Sequence, residues 1–123
     1  MNPLRLVHVF TVAESLRFLD GQLAFMHARG VDVAVVSSDG PERARLPSYV
    51  RSYVLPMERR IAPGDDAKQV ARLVGLLRAE RPHVVHAHTP KGGLLGMIAA
   101  RAAGVHGRIY QMRGLPMRTA VGA

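Results

Sequence analysis

The chain has 123 residues, enough for one domain with a real core. It has no cysteine, which excludes a disulfide framework and a cysteine-based zinc site, and no apolar run approaches the roughly 20 residues of a membrane-spanning helix. The formal charge is +8, yet the arginines are scattered, Lys68 and Lys91 are the only lysines, and the aromatics amount to 3 tyrosines and 3 phenylalanines, so nucleic acid is not the expected partner.

In chain order, residues 4–10 read as a first apolar strand. Ser15 is positioned to cap a helix running to about Arg29, with Leu16, Leu19, Leu23 and Met26 along one stripe. Gly30 is placed as its C-terminal stop. Residues 31–36 form the second strand and 37–41 a loop. A short helix over 42–46 and a weaker third strand over 51–55 follow, then an irregular loop over 56–64. Asp65 or Asp66 is expected to cap a helix to about Glu80, in which Val70, Leu73, Val74 and Leu77 follow the i, i+3, i+4, i+7 rule. Pro82 ends it. The fourth strand covers 84–87, a glycine-rich helix 92–103 with Gly104 as its stop, and a fifth strand 108–112. Residues 113–123 show no periodicity.

Strand and helix alternate, and the strands are nearly continuous apolar runs. This predicts an α/β fold, a doubly wound, Rossmann-like parallel sheet of about five strands in the order 3-2-1-4-5. The first and fourth strands then flank the topological switch point. The loops after them, 11–15 and 88–93, become opposite walls of one crevice.

The richest segment is 83–96. An apolar strand ends in His86 and His88, followed by Thr89, Pro90, Lys91 and the glycine-rich helix. The two histidines share a face if the strand continues through them. The N–H groups of Gly92 and Gly93 with the Lys91 ammonium suit one phosphate or carboxylate; the alternative is an ordinary solvated lysine. Gly-x-Gly-x-x-Gly does not follow the first strand, and no P-loop is present. His86 and His88 also suit a metal-dependent hydrolase, given carboxylates from elsewhere such as Glu14 or Asp39. No second His pair or His-Glu-x-x-His pattern supports it, and no metal is expected. His8 reads as a packed histidine with a backbone partner, and His27 and His106 as surface residues. Arg113, after the fifth strand, either reaches an anion or is a loop charge.

Taken in order, these segments resemble the N-terminal domain of glycosyltransferase family 4, of the B-type glycosyltransferase fold. The resemblance rests on Val7-His8-Val9 with Thr11 to Leu16, on Arg29 to Val33 leading into Ser37-Ser38, on Pro56 to Arg59, on Arg81 to Lys91 with Gly93 to Met97, and on Arg108-Ile109-Tyr110 leading to Arg113-Gly114-Leu115-Pro116. It covers nearly the whole chain. It implies transfer of a sugar from a nucleotide sugar to a polysaccharide or polyprenyl-phosphate-linked acceptor, with retention, and no cofactor beyond that donor substrate. It further implies an acceptor-side cleft drawn from Glu14, Ser15, His86, His88, Thr89, Lys91, Gly92, Gly93, Arg113 and Gly114.

In the family a second Rossmann-like domain holds the donor, and these 123 residues have no counterpart of it. The resemblance therefore implies a partial N-terminal domain, inactive alone. The alternative is a non-catalytic partner subunit of a split glycosyltransferase. The expected location is the cytoplasm, at the inner face of the membrane. Met57, Arg59, Arg60 and Ile61 in the 56–64 loop suggest weak docking to anionic lipid, at most ~1 kcal/mol per basic residue.

Overall fold

The structure, a computed structural model, describes residues 3–57, 63–88 and 90–111. Five strands form one parallel sheet: β1 (Arg5–Val9), β2 (Asp32–Ser37), β3 (Arg51–Val54), β4 (Val84–His88) and β5 (Gly107–Gln111). Their order is β3-β2-β1-β4-β5, as the alternation of elements predicts. The sheet reverses between β1 and β4, whose register sets His8 opposite His86 and Val9 opposite Ala87. Both neighbours of β1 are parallel to it.

Alternation along the strands gives the sheet two apolar faces. Val7, Val9, Val36, Val85 and Ala87 pack on Leu73 and Leu77 of α2 (Pro63–Glu80) and on Leu95, Ala99 and Ala100 of α3 (Pro90–Ala102). Leu6, Phe10, Val33 and Val35 pack on Ala13, Leu16, Leu19 and Leu23. Burying a side chain such as Leu73 or Phe10 contributes about 1.5–3 kcal/mol. The central strands are buried, whereas β3 and β5 lie at the edges and carry exposed positions.

The first helix departs from the expected one. Residues Ala13–Leu19 form a 3-10 helix, and α1 (Gln22–Ala28) begins only after Gly21, whose φ of 81° turns the chain between them. Ser15 therefore does not cap a helix. It lies inside the 3-10 segment, and the flanking residue Val12 offers no capping side chain. The apolar stripe survives the break because Leu16, Leu19 and Leu23 still reach the same core. The short segment Pro41–Arg45 is likewise 3-10. Helix α2 starts at Pro63, so Asp65 and Asp66 sit inside its first turn rather than at the N-cap position, where their charge favours the dipole. Arg81, with φ 53°, turns the chain out of α2 ahead of Pro82. Helix α3 starts at Pro90, two residues before the expected boundary.

The glycines of α3 are explained by packing. A Cβ on Gly96 would stand 2.9 Å from the Ala87 Cβ and 3.5 Å from the Val9 Cβ, so only glycine lets the helix lie this close to the sheet. One on Gly93 would meet the Tyr110 ring at 2.5 Å.

At the amino edge of the sheet, Arg51 ties three elements together. Its guanidinium donates to Asp32 and to Glu80, each at 2.7 Å, and the Tyr53 hydroxyl donates to Glu80 as well. Burial pushes the Glu80 carboxyl up, but the hydrogen bonds from Arg51 and Tyr53 outweigh it and hold it below its ordinary value. The same bond to Glu80 raises the Tyr53 phenol, and those to Glu80 and Asp32 raise the Arg51 guanidinium. This network lies at the end of the sheet opposite the crevice and is structural.

Candidate functional site

The carboxyl ends of β1 and β4 are adjacent, so the 3-10 segment that follows β1 and the start of α3 lie at the same edge of the sheet. Strand β4 extends through His88, and His86 and His88 point to the same face. That face is the one carrying Leu6 and Phe10, which covers His88 with a ring stacked at 4.1 Å and 9°. His8 and His88 are fully buried and His86 is half-buried.

His8 behaves differently from the backbone-paired histidine expected. Its Nδ1 lies 2.9 Å from Nε2 of His88, a hydrogen bond between two imidazoles. Its ring centroid is 5.1 Å from those of both His86 and His88. The rings of His86 and His88 stack at 4.0 Å. On the far side, His86 Nε2 is 2.8 Å from Oε1 of Gln111 on β5. A carboxamide oxygen only accepts, so Nε2 of His86 carries the proton and donates it. His8 and Gln111 were both missed in reading the sequence. The signal for His8 was register: a parallel β1–β4 pair of equal phase sets it directly beside His86.

Ser15 lies in the 3-10 segment after β1 and is buried, at 7% exposure. Glu14 belongs to the same segment. Lys91 and Gly92 fall in the first turn of α3, whose N–H groups lack intrahelical partners. That turn holds no acidic residue, so nothing there opposes an anion. Gly93 is buried beneath the Tyr110 ring. Thr89, Arg113 and Gly114 lie outside the described residues, as do Arg59, Arg60 and Ile61 of the expected lipid-docking loop. Met57 of that loop is 5% exposed and belongs to the core, so it offers nothing to a lipid surface. Among the described residues, no helix is long and apolar enough to cross a membrane. His27 and His106 are exposed, as expected, and His27 stacks on Tyr49.

A second hollow opens at the same edge of the sheet. About 410 Å³ in volume, it lies between the ends of β2 and β3 and the start of α2, where Ser38, Asp39, Asp65, Gln69 and Arg72 line it. Gln69 is 7% exposed, and its Oε1 has no hydrogen-bond partner among the described residues. A buried acceptor without a donor is costly, by ~1–3 kcal/mol. The apolar stripe of α2 gave no hint of it, because Gln69 sits beside Val70 on the buried side of the helix.

Comparison with known proteins agrees with this architecture. A family model described as Glycosyl transferase 4-like matches residues 6–121. The chain is 37% identical over 122 residues to the capsular polysaccharide biosynthesis glycosyltransferase CapM of Staphylococcus aureus, covering 99% of this chain and 32% of that protein. It is 36% identical over 81 residues to the UDP-Gal:alpha-D-GlcNAc-diphosphoundecaprenol alpha-1,3-galactosyltransferase of Escherichia coli, covering 65% of this chain and 21% of that protein. The chain thus spans a third or less of the length of these curated relatives. Among solved structures, a UDP-N-acetylglucosamine 2-epimerase superposes with a TM-score of 0.70 at 15% identity, covering 94% of this chain and 33% of that one. MurG of Acinetobacter baumannii superposes with a TM-score of 0.67 at 12% identity, covering 99% and 39%. Such low identities speak for the fold alone. The sequence relationship goes further: the chain belongs to the glycosyl transferase 4-like family.

Proposed function

We propose that this chain is the acceptor-side portion of a glycosyltransferase that moves a sugar from a nucleotide sugar to a polysaccharide or lipid-linked acceptor. The observation that carries the reading is coverage. Nearly all of this chain aligns with one third of a capsular polysaccharide glycosyltransferase. The carboxyl edge supplies what an acceptor needs. The start of α3, with Lys91 and Gly92, favours a phosphate. Asp39, Gln69 and Arg72 line a hollow of sugar size. Glu14, Ser15, His86, His88, Thr89, Gly93, Arg113 and Gly114 are the further residues assigned to the proposed cleft, with Lys91 and Arg113 in the role of neutralising anionic charge. The donor is held by a second domain, and no cofactor is needed beyond it.

Catalysis in this reading is positioning and charge stabilisation shared by two domains. With the acceptor side alone, the leaving nucleotide has nothing to stabilise it. Calorimetry on the full chain tests this with two probes, a short-chain polyprenyl-diphosphate-linked N-acetylhexosamine and UDP-hexose. Binding of the first without the second, and no sugar transfer when both are present, is expected. Binding of UDP-hexose alone, or turnover lost on changing Lys91 to Ala, overturns the reading.

A further inference from the structure

We propose that His8, His86 and His88 form a three-imidazole site for a late first-row divalent metal ion, zinc foremost. The proposal does not rest on the acceptor reading, although His86 and His88 belong to both. Each histidine offers one ring nitrogen, and these three atoms lie within 4.8 Å of one another. Two of them already stand 2.9 Å apart. Zinc–imidazole bonds are about 2.0–2.1 Å, so a tetrahedral ion needs neighbouring nitrogens roughly 3.3–3.4 Å apart. The His8–His88 pair must open by only about half an ångström to admit it.

The surroundings match what a metal-binding histidine needs. His86 donates Nε2–H to the Gln111 carboxamide oxygen at 2.8 Å, which leaves Nδ1 as its ligating nitrogen. An outer hydrogen bond of this kind fixes the tautomer and raises ligand basicity. In the His8–His88 contact one ring supplies the hydrogen. Metal capture moves that proton to the ring's other nitrogen, so both imidazoles stay neutral and no proton is lost from the pair. The His86 ring lies stacked on His88 and must turn about its Cβ–Cγ bond to direct Nδ1 inward, a broad and soft torsion. The backbone need not move, because register already sets His8 opposite His86 across the β1–β4 ladder.

Nitrogen-only ligation selects zinc, copper, nickel or cobalt over magnesium and calcium, which demand oxygen. No carboxylate joins the cluster among the described residues. A site with three protein ligands leaves its fourth position to water or an added ligand. Of the three ligands, His86 is the one that is not fully buried. Bound metal would bridge the carboxyl ends of β1 and β4, where the crevice begins.

The test uses the full chain, without a histidine tag and stripped by a chelator. Zinc is titrated by calorimetry and cobalt by absorption, with magnesium as control. One equivalent of zinc, a tetrahedral cobalt spectrum and a rise in Tm with zinc but not magnesium are expected. His86→Ala should abolish the one-equivalent binding, and Gln111→Ala should weaken it about 10–100-fold. A His27→Ala, His106→Ala double variant controls for surface histidines and should bind as the parent does. Should His86→Ala fail to fold, imidazole nitrogen resonances of the parent chain report the three ligands directly. Absence of binding in the parent, retained binding in His86→Ala, or loss of binding in the surface double variant overturns the proposal.

Discussion

Single atoms decide how closely the elements of this fold approach. Gly96 shows this best. Its missing Cβ is what lets α3 rest on Val9 and Ala87, two buried side chains at the centre of the sheet. Gly96→Val should cost about 1–3 kcal/mol by overpacking, read as a lower urea midpoint. Gly93→Ala should cost less, because the Tyr110 ring above it is 42% exposed and has room to swing. Equal losses at the two positions would show that helix propensity, not contact with the sheet, sets these glycines. Gln69 makes the opposite kind of prediction. Its buried oxygen, without a hydrogen-bond partner among the described residues, is a standing cost, so Gln69→Leu should be neutral or stabilising by ~1 kcal/mol. The same change should weaken the polyprenyl-linked acceptor. A destabilised variant with unchanged acceptor binding would remove Gln69 from the site.

Elements were legible from sequence where one pattern dominated and were misplaced where a local conflict entered. All five strands and their order follow from apolar runs separated by helical patterns. Helix α2 was legible through Leu73 and Leu77. The first helix was not, because its apolar stripe runs unbroken across Gly21 while the backbone does not. Half of the histidine cluster was legible as His86-x-His88. The other half required pairing two strands far apart in sequence, which periodicity does not report. The acid side of the α2–β3 joint is a further case: Arg51, Tyr53 and Glu80 carry no sequence pattern that announces them. With its folded pKa depressed, Glu80 contributes stability that is fully present above the unfolded glutamate value of about 4.3 and is lost as pH falls through the lower folded value. Arg51 is partly solvent-screened, so the network is worth about 1 kcal/mol. Glu80→Gln should therefore lower the denaturation midpoint at pH 7. Its difference from the parent should shrink on acidification below about pH 4. A difference that persists unchanged at low pH would mean that packing, not charge, makes the joint.

At the scale of the whole molecule, the described residues cover the two faces of the sheet unequally. Helices α2 and α3 share one face, while the 3-10 segment and α1 cover the other over β1 and β2. The β4–β5 side of that second face carries Val84, His86, Ile109 and Gln111 in register, and Ile109 is 48% exposed. On α3, Leu94 and Ile98 stand one turn apart and are 56% and 48% exposed. Isolated apolar residues on a surface need no explanation, but these accompany an edge strand, β5, whose outer side has no strand partner among the described residues. Ile109 and the Leu94–Ile98 pair thus leave exposed apolar side chains on both sides of the sheet. At about 25 cal/mol per Å², covering them in a second copy of the chain favours association. The chain should therefore self-associate, with a sedimentation coefficient that rises across the micromolar range. Leu94→Lys with Ile109→Lys should return it to monomer without lowering the Tm, since neither side chain is part of the core. A parent chain that sediments as a monomer at every concentration, with a sharp and concentration-independent thermal transition, would show that the exposed patch costs the fold nothing.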